Sequence, residues 1–177
     1  MEDRFIEESV RLRLILSGMT ELEEHGLADF SLRRAALGAQ VSCAAPYRHF
    51  KDKDEYIREI INYVASMWEL LSREIEAVHI QNCAKLVVEL CMAKLRFFVA
   101  NKKFRSVIAL TSGGIFGASI PRAIENYCKQ NGLSEEEREL KEYTARIIIS
   151  GSLMLIDSSH IEKIMSLARK KLEGEFT

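Results

Sequence analysis

Aromatic and basic side chains gather near the start of the chain, in the stretch FSLRRAALGAQVSCAAPYRHFKDK from Phe30 to Lys53. Residues 31–53 carry five basic side chains against one acidic one, a net charge of +4, whereas the whole protein has a net charge of −1. Clustered lysine and arginine attract phosphate groups, and phosphate contacts supply most of the sequence-independent affinity of proteins for nucleic acids. The chemistry that this stretch predicts is the non-covalent binding of a phosphate backbone.

Two short helices separated by a tight turn are predicted in the same stretch. Ser31 is a suitable N-cap for the first helix, which is expected to end near Gly38. Ser42 is a suitable N-cap for the second helix, and the missing N–H of Pro46, four residues later, would remove only its first hydrogen bond. The N–H groups of Ser42 and Cys43 would then lie at a helix N-terminus, which is a natural site for a phosphate.

The second helix offers groups for both phosphates and bases. The Tyr47 hydroxyl, His49 and Lys53 can reach flanking phosphates, whereas Phe50 is interpreted as a core residue. Two alanine methyl groups can contact thymine. Few side chains of the segment can form hydrogen bonds with base edges. The alternative is that these charges form a solvated face. The predicted DNA-binding residues are Ser31, Arg33, Ser42, Cys43, Ala44, Ala45, Tyr47, Arg48, His49 and Lys53.

The segment from Leu14 to Tyr56 resembles the DNA-binding domain of TetR-family transcriptional regulators. LILSGMTELEEHG is similar to the first helix of that family, SLRRAALGAQVS to its second helix and turn, and CAAPYRHFKDKDEY to its recognition helix and the start of its fourth helix. The Y-x-H-F-x-x-K pattern begins at Tyr47. The chain departs from the family at Gln40, where a turn glycine is usual, and at Cys43, where lysine is frequent.

The rest of the chain favours helix throughout, because nine glycines and two prolines in 177 residues are too few for a turn-rich β-fold. We predict an all-α protein of about nine helices, one of them over residues 101–110. Residues 1–53 would form a homeodomain-like three-helix DNA-binding domain, and residues 54–177 an effector-binding and dimerisation domain. The long helix that begins at Asp52 or Asp54 would join the two.

The resemblance implies a small-molecule effector site and a homodimer interface in the second domain. A mostly apolar effector would contact Met67, Trp68, Met92, Phe97, Phe116, Tyr127 and Tyr143, although such stripes are more often plain core. The last two helices would pair with those of a second copy through Ile147, Gly151, Met154, Ile161, Met165 and Ala168.

The sequence as a whole predicts a cytoplasmic homodimer that binds double-stranded operator DNA, most simply a repressor released by its effector. A helical protein-interaction module without sequence-specific DNA binding is the alternative. We expect no enzyme, since no familiar catalytic motif is present. No cofactor, metal or membrane partner is expected either, because the four cysteines and the histidines lack zinc spacing and no apolar run approaches about 20 residues.

Overall fold

A computed structural model describes the backbone of residues 2–100, 117–156 and 160–177, with side chains from residue 9 onward in those ranges. These residues form eight helices and no strand, which confirms the all-α class. The predicted helix over residues 101–110 and the break at residues 157–159 lie outside the described residues. The helices are α1 (Glu2–His25), α2 (Leu32–Gly38), α3 (Pro46–His49), α4 (Lys53–His79), α5 (Cys83–Ala100), α6 (Ser119–Gln130), α7 (Glu135–Leu155) and α8 (Ile161–Glu175).

Contacts divide the described residues into two compact units, and the division falls inside α4. The first unit contains the residues up to Met67. The second contains Trp68–Ala100 and the described residues from 117 onward. No helix among the described residues is long and apolar enough to cross a membrane.

The first unit is built on the close packing of α1 against α4 at Gly18. A Cβ added at Gly18 would lie 2.6 Å from Ile60 Cδ1 and 3.1 Å from the Tyr56 ring, so only glycine fits there without a shift. The buried Tyr56 hydroxyl donates a hydrogen bond to the Leu14 carbonyl and so ties the two helices together again. This packing fixes the first turn of α4. That helix closely follows residues 42–49, which are predicted to read DNA and are called the reading segment.

The second unit is built around α5, which contacts α6, α7 and α8. Nine of its residues are buried, as expected of a helix that is apolar on most sides. Trp68 is also buried, where its Nε1 donates to Ser119 Oγ at 3.3 Å and its ring meets Phe97 edge-on. Helix α5 is therefore the core helix of the second unit.

Several helix ends carry residues that favour the end or the start of a helix. Gly26 ends α1 with a φ of 71°, and Asn131 with Gly132 ends α6. Ser134 opens α7 with a capping box, because its hydroxyl accepts from the Glu137 N–H while the Glu137 carboxylate accepts from the Ser134 N–H.

Candidate nucleic-acid interface

The turn before the reading segment is a Schellman motif closed by a non-glycine residue. The Gln40 N–H bonds the Leu37 carbonyl and the Val41 N–H bonds the Ala36 carbonyl, both at 3.0 Å. Gln40 has a φ of 56° and is the one non-glycine residue with positive φ in the described part of the chain. The expected strain at this turn is therefore present, and the turn forms nonetheless.

Helix α3 is shorter than predicted, because it begins at Pro46 rather than at Ser42. An α-helix starting at Ser42 needs an N–H from residue 46 to its carbonyl, and proline has none. The Ser42 carbonyl accepts instead from Ala45 N–H at 2.9 Å, which tightens the segment into a 3₁₀-type turn. The prediction that the Ser42 side chain caps the helix is wrong, since the N-cap is Ala45 and no side chain caps it.

Five residues of the 3₁₀-type turn and of α3 are exposed to solvent. Tyr47 is 66% exposed, whereas Ala45 is only 8% exposed, and its neighbour Pro46 is also buried. Ala45 is thus a core residue, and the prediction that its methyl group contacts thymine is wrong. His49 is half-buried. The exposed residues, which we call the reading face, are Ser42, Cys43, Ala44, Tyr47 and Arg48.

Phe50 packs beneath the reading face. This burial confirms the interpretation of Phe50 as a core residue. Its ring stacks on Tyr56 with centroids 4.2 Å apart and planes within 6°. The Arg11 guanidinium lies 5.6 Å from the Phe50 centroid. Phe50 thus joins the end of α3 to both long helices of the first unit, and the three-residue link to α4 leaves the segment little freedom.

The basic residues of residues 31–53 divide into two groups in the structure. Arg33, Arg48 and Lys51 are exposed, and none of them forms an ion pair with a residue that the structure describes. Arg34 and Lys53 are instead engaged within the protein. Within the described part of the chain, three of the five cations are therefore without an internal partner and can meet phosphates.

Lys53 lies against the loop between α1 and α2. Its Nζ donates to the Leu27 carbonyl at 2.9 Å and to the Ala28 carbonyl at 3.4 Å, and it lies 5.8 Å from the Phe30 centroid. Lys53 is the first residue of α4, where the helix dipole disfavours a cation. Its ammonium group is therefore better stabilised by these carbonyls than by its own helix.

Arg34 pairs with Glu21, a carboxylate that sequence reasoning missed. Glu21 is 5% exposed, and its Oε1 accepts from Arg34 Nε at 2.8 Å and from the Ser31 N–H at 3.0 Å. Burial by itself would raise the pKa of Glu21, but the hydrogen bonds from Arg34 and Ser31 lower it overall. A signal was available, because Glu21 continues the three- and four-residue spacing of the buried Leu14 and Gly18.

Ser31 is the N-cap of α2, as predicted, since its hydroxyl accepts a hydrogen bond from the Arg34 N–H. Its side chain is half-buried at this cap. A direct contact of Ser31 with DNA remains a prediction, as does that of Arg33.

The predicted effector residues differ in how far they are buried. Trp68, Met92, Phe97 and Tyr127 are buried, and Tyr127 donates its hydroxyl to the Thr177 carbonyl. Met67 and Tyr143 are exposed, and contact of an effector with these two residues remains a prediction. Phe116 lies outside the described residues.

An open groove of about 520 Å³ lies between α5 and α8 in the second unit. Its floor is apolar, formed in part by Met92, Val99 and Met165. Arg169 closes one side, where it holds both carboxylate oxygens of Glu89 at 2.7 and 3.1 Å and thereby lowers the pKa of Glu89. Of the predicted effector residues, only Met92 lines this groove.

The predicted dimer residues differ in how accessible they are. Ile147 is 51% exposed and Met154 is 87% exposed, whereas Gly151, Ile161 and Met165 are half-buried. Ala168 is buried within its own unit, so the prediction that it contacts a second copy is wrong. Periodicity placed Ala168 on the apolar face of α8, which packs against the same chain. Further exposed apolar residues of α7, which sequence reasoning did not assign to an interface, are Leu140 and Leu155.

No group of three His, Cys, Asp or Glu side chains suited to a metal ion occurs in the described ranges. Comparison with protein-family models gave no match, and comparison with curated proteins gave none either.

Proposed function

We propose that this protein is a dimeric DNA-binding transcriptional regulator, a repressor released from its operator by a small, mostly apolar effector. The observation that carries the proposal is the reading face itself. A tight turn and a single helical turn project Cys43, Tyr47 and Arg48 into solvent, while Phe50 anchors the segment from below. An exposed, rigid and locally cationic segment of this size suits the major groove of DNA.

The chemistry of each side chain on the reading face suits it either to phosphates or to bases. Tyr47, Arg48 and the nearby Arg33 and Lys51 would bind phosphates, which orient the protein without reading sequence. The methyl group of Ala44 would contact a thymine. Cys43 adds only a weak hydrogen-bonding group, so specificity would rest on few base contacts and on DNA shape.

Two copies would act together on a palindromic site. Helix-turn-helix proteins read half-sites about one helical turn apart, and a two-fold protein dimer matches that spacing. Exposed apolar side chains of α7, namely Leu140, Tyr143, Ile147 and Met154, support this part of the proposal, because a large apolar face on a helix is commonly an interaction surface.

Selection of bound duplexes from a random library tests the proposal. The best duplex is then titrated with the protein at several salt concentrations. Arg48→Ala should weaken binding and reduce the slope of log K against log salt by about 0.9, since one fewer phosphate is neutralised. Lys171→Ala, an exposed cation of the second unit, is the matched control and should change neither quantity. Absence of salt-dependent binding to any duplex would favour the protein-interaction module instead.

The same titration tests the effector. Small apolar compounds that fit the groove lined by Met92 and Met165 should weaken binding of the duplex, because they would stabilise the conformation that is not competent for DNA. If no compound in a broad panel alters duplex affinity, the effector part of the proposal is wrong while DNA binding stands.

A further inference from the structure

We propose that Glu21, Arg34 and Lys53 form an internal clamp on the α1–α2 loop, and that Arg34 and Lys53 position the DNA-reading segment rather than bind phosphate. We call these three residues the loop clamp. The inference rests on the proposed function, since it assigns roles within the same DNA-binding unit.

Three consecutive carbonyl oxygens of the loop accept hydrogen bonds from the two cations of the clamp. Lys53 Nζ binds those of Leu27 and Ala28, at 2.9 and 3.4 Å. An Arg34 guanidinium nitrogen binds that of Asp29. A loop with three adjacent carbonyls held by two side chains has little room to move.

Glu21 completes the clamp from α1. Its Oε1 accepts from Arg34 Nε at 2.8 Å, so the guanidinium is oriented by a buried carboxylate while it holds the loop. The same oxygen accepts the Ser31 N–H at 3.0 Å, immediately before α2. His25 is also near, with its Nε2 3.7 Å from Glu21 Oε2.

The clamp thus joins three helices at one loop. Glu21 belongs to α1, Arg34 to α2 and Lys53 to α4. The turn at Gln40 and α3 follow α2 directly, so the direction of α2 sets the direction of the reading face. Loss of the clamp would leave Arg48 on the reading face but would make the orientation of that face less well defined.

Lys53 also has few hydrogen-bond donors left for a phosphate. Two of its ammonium hydrogens point to carbonyls, and the group also lies 5.8 Å from the centroid of the Phe30 ring, a favourable site for a cation. Only one of its three ammonium hydrogens then remains for a phosphate. A positioning role and a phosphate role therefore predict different salt dependence.

Salt titration of the full chain on the selected duplex separates the two roles. Lys53→Gln should weaken binding by roughly tenfold, the effect of losing a charged hydrogen bond, and should leave the slope of log K against log salt unchanged. Lys53→Arg should retain most of the affinity, because a guanidinium can also donate to two carbonyls. Arg48→Ala is the contrast, since it should reduce the slope.

Two further measurements report on the clamp itself. Lys53→Gln and Glu21→Gln should both speed amide hydrogen exchange over residues 26–31, and Arg48→Ala should not. Glu21→Gln keeps an oxygen that can accept the Ser31 N–H, so it should fold, lose affinity and keep the wild-type slope.

A slope that falls by about 0.9 in Lys53→Gln, with unaltered hydrogen exchange, would overturn the clamp and make Lys53 a direct phosphate contact. That result would leave the proposed function intact. Failure of the unsubstituted protein to bind any duplex would instead overturn the proposed function, and the positioning role with it.

Discussion

At the scale of single residues, Gln40 shows how local strain and a motif can coexist. The Schellman motif needs a left-handed residue after α2, and glycine adopts that conformation at least cost. Gln40 adopts it with a φ of 56°, because the two hydrogen bonds that close the motif hold the backbone there. The turn that leads to the reading face is thus formed at a cost in stability.

Gln40→Gly should raise the free energy of unfolding by about 0.5–1 kcal/mol, since relief of left-handed strain exceeds the added entropy of the unfolded chain. Gly132→Gln is the reciprocal control, because Gly132 has a φ of 67° and open space around an added Cβ. It should lower stability by about 1 kcal/mol. Denaturant unfolding measures both, and a loss of stability in Gln40→Gly would show that its side chain contributes more than its backbone costs.

At the scale of elements, one missing N–H and one missing side chain determine how the first unit is assembled. Pro46 lacks the N–H that would extend α3 to Ser42, so the reading segment is a 3₁₀-type turn followed by four helical residues. Gly18 lacks the side chain that would separate α1 from α4. The first feature shapes the reading face, and the second fixes the helix on which it rests.

Gly18→Ala should lower the free energy of unfolding by about 1–3 kcal/mol, because the new methyl group would meet Ile60 Cδ1 at 2.6 Å and the Tyr56 ring at 3.1 Å and force these buried side chains to shift. Gly174→Ala is the matched control, a helical glycine with nothing within 4 Å of an added Cβ. It should raise stability by up to about 1 kcal/mol. Thermal unfolding of both variants measures the difference, and equal gains in stability would refute the close packing at Gly18.

At the scale of the whole molecule, α7 carries an apolar stripe that its own unit does not cover. Leu140, Tyr143, Ile147 and Met154 follow one another at spacings of three, four and seven residues, which places them on one helix face. All four are exposed. Tyr143 lies on the same stripe as the proposed dimer residues Ile147 and Met154.

Ile147→Glu should convert a dimer into a monomer, because burying a carboxylate without a partner in an apolar interface costs several kcal/mol. Sedimentation velocity at micromolar concentration measures the mass. Val78→Glu serves as control, since Val78 is also an exposed apolar residue but lies on α4, away from the stripe. A monomeric unsubstituted protein, or an Ile147→Glu variant that remains dimeric, would contradict the use of this stripe.

The sequence by itself determined the helices and most of their ends. Gly26, Asn131 with Gly132, and the Ser134 capping box act within a few residues of where they stand, so their effect could be read locally. The same holds for the turn at Gln40 and for Phe50 as a core residue. The charge pattern also located the exposed segment that we propose to bind DNA.

Only the tertiary structure decided which side chains that segment keeps free. Lys53 is 26 residues from Leu27, and Arg34 is 13 residues from Glu21, so no local pattern pairs them. The burial of Ala45 and Ala168, and the exposure of Met67 and Tyr143, likewise depend on which neighbour covers each helix face. Periodicity defines a face, but partners distant in sequence determine whether it meets solvent, core or another charge.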